Sequence, residues 1–154
     1  MSKIKKRNDN NKVKFPNEPK SGCGQCENDI LFEFEHITSN KRYSYNALIE
    51  KSKTDTTILK KYIELINTIS VSTWAELSTI NKKTIGGFET KCISDFHYKI
   101  WDNYNGDLSN DTKLYIFRFG NKDKYRMVGY KSPNCKRVIH ILGFDLDFSL
   151  YDHG

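Results

Sequence analysis

The sequence predicts an α+β domain, with helices packed on one face of a mostly antiparallel four-stranded sheet and a disordered basic arm at the N-terminus. Three observations carry that prediction. An apolar–polar alternation near residue 30 reads as a strand. Residues 44–80 repeat their apolar side chains at helical spacing. The last forty residues hold three apolar runs joined by short turn-forming segments.

Residues 1–26 carry charge, Asn and Gly with few apolar anchors, so they form the arm, and residues 27–154 form a single domain. In Ile30–Ile37, Phe32, Phe34 and His36 share one face, while Glu33 and Glu35 share the other and are expected to meet water. Ser44 caps a short helix through Ala47, Leu48 and Ile49. Thr54 or Asp55 caps a longer one, with Ile58, Tyr62, Leu65, Ile66 and Ile69 along one stripe. Thr73 and Glu76 have capping-box spacing before Trp74 and Leu77. Gly86-Gly87 ends the helical half. Phe88–Cys92 fits a short strand or a helical start, and the spacing of Cys92, Phe96 and Ile100 favours a helix over Ser94–Trp101. The meander then runs Leu114–Phe119, Tyr125–Lys131 and Arg137–Asp145, with turns at residues 120–123 and 132–134. Val138–Phe144 is apolar on both faces, which predicts a central strand covered on both sides.

No apolar stretch approaches the length of a membrane helix. The opening residues are charged with no apolar run behind them, so no secretory signal is expected and the expected location is cytoplasmic. Cys23 and Cys26 form a Cys-x-x-Cys pair, but Cys92 and Cys135 stand apart, so the second half of a zinc site is missing. Asp145, Asp147, Asp152 and His153 follow no metal-binding spacing and read as a turn after the last strand. No metal and no cofactor is expected.

The net charge of +6 is unevenly placed. Residues 1–20 hold seven basic and two acidic residues, and residues 112–144 hold eight basic and one acidic. Two basic blocks separated by near-neutral sequence suit an anionic partner, RNA or an acidic protein surface, and a solubilising tail is the plainer reading of the first block. Within the second block, Arg118, Arg126 and Arg137 fall on successive strands, interleaved with Tyr125, Tyr130, Lys124 and Lys131. His140 lies in the most apolar strand, where a core role competes with acid–base chemistry.

The order strand, helices, antiparallel meander resembles the RelE/ParE toxin superfamily. The C-terminal strand pattern also resembles it: Tyr125-Arg126-Met127-Val128-Gly129-Tyr130, then Val138 to Asp145, then Leu150-Tyr151-Asp152-His153. The resemblance covers residues 28–153. It implies a toxin-like RNA-binding protein, in its ribonuclease form a metal-independent endoribonuclease of a toxin–antitoxin system, with an antitoxin or host protein as partner. On that reading Arg126, His140 and Arg118 are catalytic, and Tyr125, Tyr130, Lys131, Arg137 and Lys124 bind nucleic acid. The residues also permit a non-enzymatic phage or mobile-element module that binds and modulates a host or partner protein.

Overall fold

The computed structural model describes residues 29–120, 122 and 124–153, so the arm and the Cys23–Cys26 pair lie outside the described residues. The elements are β1 (Leu31–Glu33), α1 (Tyr45–Ser52), α2 (Ile58–Ser70), α3 (Trp74–Thr79), β2 (Phe88–Cys92), a 3-10 turn (Ile93–Asp95), β3 (Lys113–Phe119), β4 (Tyr125–Lys131) and β5 (Val138–Asp145). The fold is α+β, as the sequence predicts, but the sheet is mixed and has five strands in the order β1-β5-β4-β3-β2.

Two differences from the sequence reading account for the extra strand. Phe88–Cys92 pairs antiparallel with β3, so the segment is a strand, and only the single turn Ile93–Asp95 is helical where a helix over Ser94–Trp101 was expected. A flat edge beside β3 offers unpaired backbone groups, and Phe88-Glu89-Thr90-Lys91-Cys92 satisfies them. The first strand is also shorter than its alternation suggests. It ends at Glu33, because the chain turns and the Ile37 N–H donates to the Phe34 carbonyl. It joins β5 in parallel, with Leu31, Phe32 and Glu33 beside Val138, Ile139 and His140. The crossover from β1 to its parallel neighbour contains the whole helical layer, which is what a parallel pairing requires.

The helices form where the apolar stripe predicts. In α2, Ile58, Tyr62, Leu65 and Ile69 are buried. Thr57 occupies its N-cap position, and Asp55 accepts from the Thr57 N–H at 3.1 Å instead of capping directly. The Thr73–Glu76 capping box opens α3 with both of its hydrogen bonds, 3.2 and 2.7 Å.

Both faces of the sheet are covered. The helices pack on Phe117, Phe119, Tyr125, Met127, Ile139, Ile141 and Phe144. The opposite face presents Leu114, Ile116, Val128 and Leu142, which are closed over by Ile93, Ile100, Leu150 and Tyr151 from the loop after β2 and the C-terminal segment. This second layer explains why β5 is apolar on both sides. It also makes the non-helical face an interior, into which several of the candidate site residues point.

Candidate functional sites on the sheet

The strand register decides which candidates meet. Arg118 lies opposite Arg126, and Arg126 lies opposite Asp145. Tyr130 lies opposite His140, and His140 lies beside Glu33. All of these occupy the face away from the helices. Arg126 and Tyr130 are nevertheless four residues apart on one strand, roughly 13 Å. The structure therefore brings Arg118 and Arg126 together, places His140 in a different cluster, and does not assemble Arg126 and His140 around one reacting atom.

The arginine cluster is an internal network. Arg126 is 3% exposed, donates to the Tyr125 carbonyl at 3.1 Å and lies over the Phe148 ring at 5.2 Å. Asp145 is fully buried. It accepts from the backbone N–H groups of Asp147, Ser149 and Leu150 at 3.4, 3.1 and 3.4 Å, and from His153 Nε2 at 3.0 Å. Arg118 reaches Glu89 at 3.4 Å, and the Tyr151 hydroxyl donates to the same carboxylate oxygen at 3.0 Å. Burial pushes the Tyr151 hydroxyl well above its ordinary range, and the Glu89 charge adds to the effect. Arg118 is paired with Glu89, and Asp145, across the ladder from Arg126, gathers the N–H groups of the C-terminal segment and folds it back onto the sheet.

His140 belongs to a second cluster with Glu33, His36, Tyr104 and Tyr130. Its Nδ1 lies 2.6 Å from Glu33 Oε2, close enough for an ion pair but too bent for a directed hydrogen bond. Burial lowers its basicity and outweighs the attraction of Glu33. The two imidazole rings are 5.1 Å apart, and Tyr104 packs against both, at 5.0 Å from His36 and 5.3 Å from His140. Tyr130 stands 5.3 Å from Tyr104 and 6.2 Å from His140. The sequence reading set Glu33 towards water and His36 on the opposite face. The register instead turns Glu33 to His140, and the turn after Glu33 carries His36 round to join them. Glu-x-x-His was visible as letters, but only the turn gives that spacing a shared centre.

The nucleic-acid candidates divide between the faces. Tyr125 is buried on the helical side, and its hydroxyl donates to Asp55 at 2.8 Å, which with burial pushes it up to about 12. Lys124 is exposed near that ring. Arg137 is half-buried and donates to the Asp29 carbonyl at 2.9 Å. Lys131 sits at the far end of β4 on the helical side, with Nζ 4.1 Å from the centre of the Trp74 ring. Burial, and secondly the charge of Lys136, lower its basicity. Trp74 in turn packs on Tyr115 at 5.1 Å and Phe88 at 6.0 Å, and its indole N–H donates to the Lys136 carbonyl at 2.8 Å. Trp74, Phe88 and Tyr115 are all half-exposed. This basic and aromatic end of the sheet holds one predicted residue, Lys131. Trp74, Tyr115 and Lys136 were not singled out, because they lie on three separate elements.

Among the described residues, no helix is long and apolar enough to cross a membrane. Comparison with known proteins gives no relative to set beside these clusters: no family model matches the chain, and no curated protein or solved structure matches it.

Proposed function

We propose that the chain is a toxin-like RNA-binding protein that holds RNA at the basic, aromatic end of its sheet and acts there by binding. The observation that carries the reading is Lys131 seated over the Trp74 indole beside Lys136, with Tyr115 and Phe88 continuing the row of half-exposed rings. Aromatic faces stack unpaired bases, and adjacent ammonium groups neutralise phosphates. Arg118, Arg126 and His140, the candidates for catalysis, are engaged in two separate internal clusters, which favours binding over cleavage at those groups.

Fluorescence anisotropy of a labelled single-stranded RNA tests the reading. Binding falls steeply with salt, and the Lys131→Ala/Lys136→Ala pair lowers the slope of log affinity against log salt by about 2. Trp74→Ala costs about 1–3 kcal/mol, the range for loss of one stacking platform. No binding at low salt, or binding indifferent to all three changes, overturns the proposal.

A second reading, an interaction module for a partner protein, draws on exposed apolar side chains. Tyr45 and Ile49 repeat at four residues on α1, Leu59 and Ile63 do so on α2, and Leu31 and Phe34 lie at β1, the edge strand of the sheet among the described residues. Loss of partner capture in Ile49→Asp/Ile63→Asp, with RNA affinity unchanged, would support that module. RNA as the sole co-purifying species counts against it.

A further inference from the structure

We propose that Glu33, His36 and His140 form a binding site for a first-row divalent transition metal ion, zinc being the simplest occupant. The inference is independent of RNA binding. It uses a face of the sheet that the basic end does not share.

Three separate features of the fold converge on one point. Glu33 and His140 are direct neighbours in the parallel β1–β5 ladder, so their side chains leave the sheet together. The turn closed by Phe34 and Ile37 then brings His36 back over Glu33. One donor atom from each residue lies within 4.8 Å of the others. An ion about 2.0–2.2 Å from each donor holds its ligands roughly 3–4 Å apart, so small side-chain rotations complete the set.

The hydrogen bonds fix which atom of His36 is offered. Its Nδ1 lies 3.1 Å from the Asn103 carbonyl oxygen. A carbonyl only accepts, so Nδ1 carries the proton and donates. In the neutral ring the lone pair is then on Nε2, which faces Glu33 Oε1 at 3.7 Å. An unprotonated nitrogen facing a carboxylate is one acceptor against another, and a cation between them relieves the opposition. The arrangement is that of a metal-binding histidine, held by a backbone carbonyl on its far nitrogen.

His140 supplies a second, independent observation. Its Nδ1 is buried, close to Glu33 and without a directed hydrogen bond. The surroundings are also built to hold position. Asn103 Nδ2 donates to the Ile37 carbonyl at 2.6 Å, and Asp102 accepts from the Thr38 hydroxyl and from the Ser39 N–H. These contacts clamp the turn bearing His36 to a loop more than sixty residues away. Tyr104 walls off both imidazoles. Two histidines and one carboxylate leave coordination positions open for water or a ligand oxygen, as in metal sites that act on bound ligands and unlike closed structural zinc sites.

The test uses the full chain, stripped with a chelator and dialysed, then titrated with Co²⁺ by visible absorption and with Zn²⁺ by calorimetry. The expected result is one ion per chain. Glu33→Gln and His36→Gln each weaken it at least about a hundredfold, beyond the tenfold to hundredfold range of changes outside the ligand set. Cys23→Ser/Cys26→Ser, which removes the Cys-x-x-Cys pair, leaves it unchanged. Circular dichroism and the melting temperature of metal-free Glu33→Gln confirm that the variant folds. Nitrogen-15 NMR of the histidine rings without metal provides a separate reading, with His36 protonated on Nδ1. Three results overturn the site: no binding by the wild type, affinity unchanged in both ligand variants, or binding that disappears with the two cysteines.

Discussion

Replacing Asp145 by Ala removes the one carboxylate around which the C-terminal segment is organised. Asp145 is fully buried, accepts from three backbone N–H groups and from His153, and lies opposite Arg126, itself 3% exposed. The change strips the segment's three N–H groups, and His153, of their buried acceptor. A buried N–H left without an acceptor costs about 1–3 kcal/mol, and with two of the three bonds long the set costs about 3–5 kcal/mol. At about 2–4 °C per kcal/mol for a chain of this size, the melting temperature drops by roughly 10 °C. Urea unfolding read by tryptophan fluorescence should show the midpoint fall by about 2 M at an m-value near 2 kcal/mol/M. Arg126→Met alone is also destabilising. Arg126→Met with Asp145→Leu recovers part of the loss, because the two residues face each other across the ladder and their changes couple. The same Arg126→Met variant keeps the RNA affinity of the parent if Arg126 is a structural residue. A cost below about 1 kcal/mol for Asp145→Ala, or single effects that simply add in the double variant, refutes the reasoning.

Other outcomes follow from neighbouring geometry. His153 is less basic than a free imidazole, chiefly through burial, with Arg126 acting in the same direction and Asp145 and Glu89 opposing. Its Nε2 is bonded to Asp145 and its buried Nδ1 has no partner among the described residues, so the fold prefers the neutral ring. A folded value below the unfolded one makes this stabilisation complete above about pH 6.5, and it is lost as pH falls from there through the lower folded value. Melting temperatures between pH 7.5 and 5 should therefore decline more in the wild type than in His153→Gln, and equal declines count against the assignment. Gly120 adopts a φ of +93°, and a Cβ there would sit 2.2 Å from Tyr125 Cδ2. Gly120→Ala should cost about 1–3 kcal/mol in the same urea assay, and a loss under about 0.5 kcal/mol contradicts the left-handed turn.

Much of the local structure was legible in the chain. The α2 stripe, the Thr73–Glu76 box, the three meander strands and the two-sided apolarity of β5 all follow from spacing, because burial on a helix or strand repeats with a fixed period. What spacing does not encode is pairing between distant segments. Phe88–Cys92 supports a strand or a helical start equally well, and only the open edge of β3 makes it a strand. Glu33 reads as solvent-facing, and only the parallel register with β5 places it against His140. Arg118 and Arg126 read as a phosphate clamp because they recur on strands of one basic block. Glu89 answers Arg118 from β2, Asp145 lies across from Arg126 on β5, and the layer formed by Ile93, Ile100 and Tyr151 covers that face.

By itself, the sequence determined the elements, their order and the uneven distribution of charge, since these depend on nearest neighbours and composition. Tertiary structure alone decided that Arg126 is interior and Arg118 is paired with Glu89, that Lys131 meets Trp74, and that Glu33, His36 and His140 converge. Each of those depends on a register or a turn that brings residues close in space from positions far apart along the chain.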